Sequence, residues 1–288
     1  MSHFRWRLAR RDRAIAVAIA TLVAGAAATA EPAELRTPRP LHFDGDQRAP
    51  LAPGSDATPL RLLRELYPDL NEAGEATRMR AIRNLDPRDG AMEEAQTFEA
   101  GHVVAREGDA AIVRVGDAAL LIASGVLVAA RIAPHYHVLD AAFVQSDPGG
   151  APWIDHAFAG PAGPVALIGD GHHNSSESFE TYQLVGTVGG RLTLLHPGLF
   201  LYSWHAPRRG CPMEQVSHVL SHVALRQGGT LVATVREARS CAREARTRML
   251  GNRSFTIRFI WDGARRRYRA DTRALDAVSA RVYRANNR

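Results

Sequence analysis

Apolar positions follow two different spacings along this chain. Between about residues 58 and 67, leucines recur at helical spacing after Thr58-Pro59, a pair typical of a helix start, and Tyr67-Pro68 ends the run. A second helical stretch is predicted over about 70–84, ending before Asp86-Pro87. The first part of the chain is therefore expected to hold two short helices.

From about residue 102 the pattern favours strands. Pairs of turn-forming residues interrupt runs with β character at four places, as two-residue hairpin loops do: Gly116-Asp117, Gly189-Gly190, Gly228-Gly229 and Asp262-Gly263. Near the end, Leu275, Val278 and Val282 share one face of a helix predicted over 272–285. We therefore predict an α+β, mainly β fold: an antiparallel β-meander over 102–270, preceded by two short helices and closed by a C-terminal helix.

The first thirty residues have the layout of a secretory signal peptide. A basic segment precedes an apolar run, Ala14–Ala28, and Ala28-Thr29-Ala30 forms a small-x-small cleavage site. The run is shorter than the roughly twenty residues that cross a bilayer as a helix, so no stable membrane insertion is expected after cleavage near Ala30. An uncleaved signal anchor is the alternative interpretation, and the export route, twin-arginine or general, stays open.

The remaining chain divides into two predicted parts. Residues 31–57 combine five prolines with charged residues, which predicts a flexible lead-in. Residues 58–288 are long enough for a single globular domain, helical over 58–85. Cys211 and Cys241 are the two cysteines of the sequence, and an exported protein meets an oxidising compartment, so a disulfide is predicted. It would close the hairpin about Gly228-Gly229.

Charge is divided unevenly along the chain. Residues 31–207 carry 13 arginines and 23 acids, a net charge of -10, whereas residues 208–288 carry 18 arginines and 6 acids, a net charge of +12. Lysine does not occur, which excludes Schiff-base chemistry and a lysine base. The alanine- and arginine-rich composition suggests a bacterial protein, with the periplasm or the cell exterior as its destination.

One group of arginines can be placed by hairpin geometry. If Asp262-Gly263 is a two-residue turn, Trp261 faces Ala264 and Arg258 faces Arg267. The predicted candidate surface for anions is Arg258, Arg265, Arg267 and Arg269. Like charges in register are unfavourable without acids or an anion nearby. The acidic first part of the chain could supply those acids; otherwise the surface would bind an acidic protein or an anionic envelope component. Nucleic acid is not expected, because the aromatic residues of single-strand binders are missing from the basic stretch.

Histidines supply the second site hypothesis. His135 and His137 would share a strand face, and His172 and His173 lie in a polar loop, 172–180, that is also a candidate surface. Three of these imidazoles could bind zinc, with Asp155, Asp170 or Glu177 as a base. His218 and His222 have the spacing of the two zinc-binding histidines in the His-Glu-x-x-His motif of zinc metalloproteases. Val219, however, occupies the position of the glutamate that acts as the general base. The alternative to a metal site is that the histidines of each pair face solvent or form ordinary hydrogen bonds.

The sequence thus favours an exported, periplasmic binding or envelope-associated protein without enzymatic activity or a cofactor. A zinc-dependent hydrolase using His135, His137 and either His172 or His173 is the alternative.

Overall fold

The computed structural model describes residues 34–43, 46–86, 96–103, 110–144, 151–243 and 246–286. The predicted signal peptide, 1–30, lies outside these ranges, so export stays a prediction. Among the described residues, no helix combines the length and apolar character that a membrane crossing requires.

Three antiparallel sheets account for most of the described chain. In chain order, the first strands are β1 (Arg39–Pro40), β2 (Glu75–Met79), β3 (Gln96–Val103), β4 (Ala110–Val115), β5 (Ala118–Ala123), β6 (Val126–Arg131) and β7 (His137–Phe143). The later strands are β8 (Trp153–Gly160), β9 (Gly163–His173), β10 (Glu177–Val188), β11 (Arg191–Arg208), β12 (Cys211–Arg226), β13 (Thr230–Arg243), β14 (Arg246–Asp262) and β15 (Arg267–Arg269). Helix α1 spans Pro59–Arg64 and helix α2 spans Arg273–Asn286.

The order of strands confirms the predicted meander. Strands β8 to β15 form an eight-stranded sheet in sequential order, and β1-β4-β5-β6-β7 form a five-stranded sheet. Strands β2 and β3 form a two-stranded sheet. The turns at Gly116-Asp117 and Gly189-Gly190 connect their strands directly through two residues, as predicted. Gly189 and Gly190 both have positive φ, +61° and +81°, which the tight connection of twisted strands requires. The mainly β fold class and the C-terminal helix are therefore confirmed.

The second predicted helix is wrong, whereas the first is confirmed. Helix α1 begins where Thr58 Oγ1 accepts a hydrogen bond from the Arg61 backbone N–H at 3.1 Å. Within 70–84, however, the chain forms β2. Asn71 Oδ1 binds the N–H groups of Ala73 and Glu75 at 3.0 and 2.9 Å, and these side-chain contacts replace helical hydrogen bonds with a turn.

The predicted flexible lead-in is anchored to the core at several of its described residues. Leu41, Leu51 and Ala52 are buried in the core beside α1, and Arg36 exchanges two backbone hydrogen bonds of 2.8 Å with Ala157. Proline content and charge suggested disorder, but a few well-spaced apolar residues are enough to anchor this segment.

Apolar layers lie on both faces of the five-stranded sheet. Strand β5 is buried at every position because one face packs against α1 and the lead-in, while the other packs against the eight-stranded sheet. A third apolar cluster lines the eight-stranded sheet and includes Leu275 of α2. Val278 is also buried and Val282 packs on the sheet, so the predicted apolar face of the helix is confirmed.

The disulfide predicted between Cys211 and Cys241 is present. Strands β12 and β13 pair about the short connection Gln227–Gly229, which brings the two cysteines to the open end of the hairpin with their Cα atoms 5.8 Å apart. The bond is compatible with export.

Candidate functional site

The β14–β15 hairpin differs in register from the predicted one. Asp262 pairs with Arg267 and Trp261 with Tyr268, so four residues, 263–266, connect the strands. The predicted pairs Trp261–Ala264 and Arg258–Arg267 are therefore wrong. Asp262 Oδ1 accepts a hydrogen bond from the Arg265 N–H at 3.2 Å, which stabilises the longer turn.

The outward face of this part of the sheet is rich in arginine. Strand alternation places Arg258 outward between the buried Ile257 and Phe259, and Arg236 outward beside the buried Val235. We define the arginine face as these two residues with three others that lie exposed on neighbouring strands: Arg226, Arg236, Arg258, Arg267 and Arg269. Arg265, the remaining predicted member, lies in the connecting turn.

Few of these guanidinium groups are neutralised. Asp262 forms ion pairs with Arg269 at 3.2 Å and with Arg265 at 4.0 Å. Within the described ranges, Arg226, Arg236, Arg258 and Arg267 form no ion pair. The acidic first part of the chain therefore supplies them with no carboxylate among the residues that the structure describes.

A shallow groove of about 610 Å³ borders the arginine face. Thr256, Arg258 and Ile260 of β14 and Arg269 of β15 line it. Across the groove Arg273 binds Asp271 through two hydrogen bonds of 2.9 and 2.7 Å, and these bonds lower the pKa of Asp271 to about 2. Asp271 is thus a permanent anion already paired with Arg273, whereas Arg258 stays available.

His135 and His137 are exposed and flank an inward-turned tyrosine. Strand β7 begins at His137, and the Tyr136 ring lies 4.4 Å from the Arg61 guanidinium carbon. Burial of Tyr136, reinforced by the nearby Glu65 charge, raises its pKa to about 12. Asp140, the acid that follows the two histidines, accepts hydrogen bonds from Arg83 and from the Leu192 backbone N–H instead of facing them.

The loop after β9 is a compact turn. Asn174 Oδ1 accepts hydrogen bonds from the N–H groups of Ser176 and Glu177 at 3.0 and 2.9 Å. The Tyr202 hydroxyl donates to the Glu177 carboxylate. His172 stacks on Phe179, with ring centroids 5.4 Å apart, while the adjacent His173 is exposed and points to the other side of the strand.

No group of three or more histidine, cysteine, aspartate or glutamate side chains is arranged to hold a metal ion in the part of the chain that the structure describes. His135 and His137 lie at the start of a strand in one sheet, and His172 and His173 at the end of a strand in the other. Of the candidate bases, Asp155 contacts His156 Nδ1 at 2.6 Å, and Asp170 is buried. The zinc site stays a prediction.

The sequence did not reveal a buried charged network beneath α2. His218 Nδ1 lies 2.5 Å from the Tyr202 carbonyl oxygen, and its Nε2 lies 3.0 Å from the Glu237 carboxylate. Arg253 donates two hydrogen bonds to Glu237. A register shift between Leu220 and His222 places His222 on the exposed face, whereas His218 is buried on the opposite face.

Comparison of the chain with protein-family models, with curated proteins and with solved structures finds no match.

Proposed function

We propose that this protein is an exported, periplasmic protein without enzymatic activity that binds a phosphate-rich anionic polymer of the cell envelope through its arginine face. One observation carries the proposal: four of the five arginines, Arg226, Arg236, Arg258 and Arg267, form no ion pair within the described ranges.

The geometry of a sheet suits an extended polyanion. Adjacent strands are about 4.8 Å apart, and alternate residues of one strand are about 6.7 Å apart, so the arginine face offers positive groups at repeated spacings. Bringing them together without acids costs Coulomb energy, which a polymer with regularly spaced phosphates would offset. Arginine donates through a planar fork that matches phosphate oxygens.

The surroundings of these arginines favour a phosphate polymer over an acidic protein. Hydroxyl groups lie among the arginines, including the directly paired Thr234 and Thr256, and can donate to phosphate oxygens. Protein interfaces have an apolar or aromatic centre. The large exposed apolar side chains beside these arginines are Ile260, next to Arg258 and Arg269, and Val219, which pairs with Arg236. They lie on β14 and β12, with β13 between them, and so do not form one apolar centre. The binding experiment below distinguishes a phosphate polymer from an acidic protein partner.

Export supports the choice of polymer. The signal-peptide layout of residues 1–30 predicts delivery to the periplasm, and the Cys211–Cys241 disulfide is compatible with an oxidising compartment. Envelope glycans that carry phosphate are accessible there, whereas most nucleic acid is not.

The test is binding of the purified protein to long-chain polyphosphate and, separately, to poly-glutamate at 50 and 200 mM NaCl. About four phosphate contacts should make the affinity for polyphosphate fall roughly a hundredfold between the two salt concentrations, through release of counterions. Tighter binding of poly-glutamate would favour an acidic protein partner. Absence of binding to either polymer would overturn the proposal.

A further inference from the structure

A second, smaller cavity lies on the opposite face of the same sheet, beneath α2. Its volume is about 170 Å³, comparable with cavities of about 150 Å³ that accept a benzene molecule. Val216 from the sheet and Val278 and Val282 from α2 give it an apolar lining. The cavity can therefore hold the body of a small organic molecule.

Three arginines complete the lining, and they carry more charge than the neighbouring acids neutralise. Arg239 donates one hydrogen bond to Glu214 at 2.6 Å, and Arg253 donates two to Glu237 at 2.8 and 2.9 Å. Arg281, on α2, forms no ion pair with the described residues. The local balance of two acids and three arginines leaves one positive charge, and Arg239 and Arg253 retain unused N–H donors.

A buried hydrogen-bond donor, the indole N–H of Trp204, also indicates that this cavity binds a group that accepts hydrogen bonds. Trp204 lines the cavity and is 5% exposed, and its indole Nε1 has no hydrogen-bond acceptor in the described part of the chain. Buried N–H groups are nearly always paired, so an unpaired one indicates a missing acceptor. The acceptors that line this cavity, the Glu237 oxygens, already receive hydrogen bonds from Arg253 and contact His218.

We propose that this cavity binds the carboxylate of a small organic acid, with Arg281 as the principal cation and the valines around the apolar body of the ligand. The site is independent of the arginine face, because it lies on the other side of the sheet and shares none of its arginines. Arg281 and Val282 lie three and four residues after Val278, so one face of α2 supplies both the charge and the apolar contact. Binding would hold α2 against the sheet.

The test uses benzoate as the probe, with benzamide as its neutral counterpart and inorganic phosphate as an oxyanion without an apolar body. Binding to the full chain is measured by calorimetry and by the ¹H–¹⁵N indole signal of Trp204, assigned by comparison with Trp204→Phe. We expect benzoate to bind, to shift that signal, and to bind at least tenfold more tightly than either benzamide or phosphate.

Arg281→Gln should weaken benzoate binding by about tenfold or more, because it removes a charge-assisted hydrogen bond. Arg284→Gln is the matched control, since Arg284 is also exposed on α2 but does not line the cavity. The two variants should have equal helical circular dichroism and equal melting temperatures without ligand. This comparison keeps the test valid if Trp204→Phe does not fold.

Absence of benzoate binding, equal binding of benzamide, or benzoate binding that Arg281→Gln leaves unchanged would each overturn the proposal. Phosphate binding tighter than benzoate binding would replace the organic acid with an inorganic oxyanion and would also count against it.

Discussion

Arg253 binds Glu237 through two parallel hydrogen bonds, of 2.8 Å from Nε and 2.9 Å from Nη2. Burial alone would raise the pKa of Glu237, but the hydrogen bonds and charge of Arg253, with a smaller effect of His218, lower it overall. The folded state therefore favours the ionised carboxylate. Its contribution to stability is fully present above the ordinary pKa of 4.5 and is lost as the pH falls through the lower folded-state pKa.

Replacing Glu237 should remove this acid sensitivity. We expect Glu237→Gln to destabilise the fold by about 1 to 3 kcal/mol at pH 7, because Arg253 and His218 lose a charged acceptor. Urea unfolding at pH 7 and again below pH 4.5 measures the effect, and the gap between variant and wild type should narrow in acid. Glu72→Gln, at an exposed surface ion pair with Arg48, is the control and should change stability by less than about 0.5 kcal/mol. A gap that widens in acid would contradict the assignment.

Asp140 connects the two large sheets. It lies on β7, and its carboxylate accepts hydrogen bonds from Arg83 and, at 2.8 Å, from the Leu192 N–H of β11. Asp140→Asn should cost about 1 to 3 kcal/mol in thermal or urea unfolding, because a half-buried Arg83 loses its anion. Asp117→Asn, which removes an exposed carboxylate 3.8 Å from Arg131, should have a far smaller effect. Equal effects of the two variants would mean that Asp140 does not connect the sheets.

The disulfide should contribute substantially to stability. Cys211 and Cys241 are 30 residues apart, and closing a loop of that length stabilises the folded state by about 3 to 4 kcal/mol in the chain-entropy model. The double variant Cys211→Ser/Cys241→Ser should lose about this amount in urea unfolding, and wild type treated with reductant should match it. Identical stability with and without reductant would show that the bond does not form in the protein.

Gly198 permits a close approach between β10 and β11. Its φ is +100°, and an added Cβ would lie 1.5 Å from the Tyr182 carbonyl oxygen, so Gly198→Ala should destabilise the fold by about 3 kcal/mol or more. Gly251→Ala is the control, because a Cβ there meets no atom within 4 Å. Comparison of their melting temperatures tests the shift in β10–β11 register between the pairs Tyr182–Leu199 and Leu184–His196. A mild effect of Gly198→Ala would contradict that register.

Local chemistry in the sequence was sufficient to predict where the hairpins turn and that the disulfide forms. Glycine pairs determine tight turns within a few residues, and the β12–β13 hairpin then brings Cys211 and Cys241 together. The turn after Asp262 was predicted two residues too short, because a hydrogen bond donated by the Arg265 N–H to Asp262 Oδ1 stabilises a longer turn. Arg258, Arg267 and Arg269 remained on one face, whereas Arg265 lies in the turn and the predicted partners across the strands changed.

Contacts between distant parts of the chain could not be predicted in the same way. Asp140 and Leu192 are separated by 52 residues, and Glu237 meets His218 only because the β12–β13 register brings them opposite each other. The hydrophobic pattern also wrongly predicted a helix over 70–84. The side chains of Asp69 and Asn71 bind backbone N–H groups in this segment, and strand β2 forms instead. Such polar contacts leave no periodic signal in the sequence.

The most direct test of the central claim is the binding of long-chain polyphosphate by two matched double variants. Arg258→Gln/Arg267→Gln removes two unpaired cations of the arginine face, and Arg246→Gln/Arg248→Gln removes two exposed arginines at the far end of β14. Both variants change the net charge equally. We predict that the first pair weakens binding and lowers the slope of log affinity against log salt by about 2, while the control pair changes neither appreciably. Equal losses in both variants would show that binding follows net charge alone and would contradict a site on the arginine face.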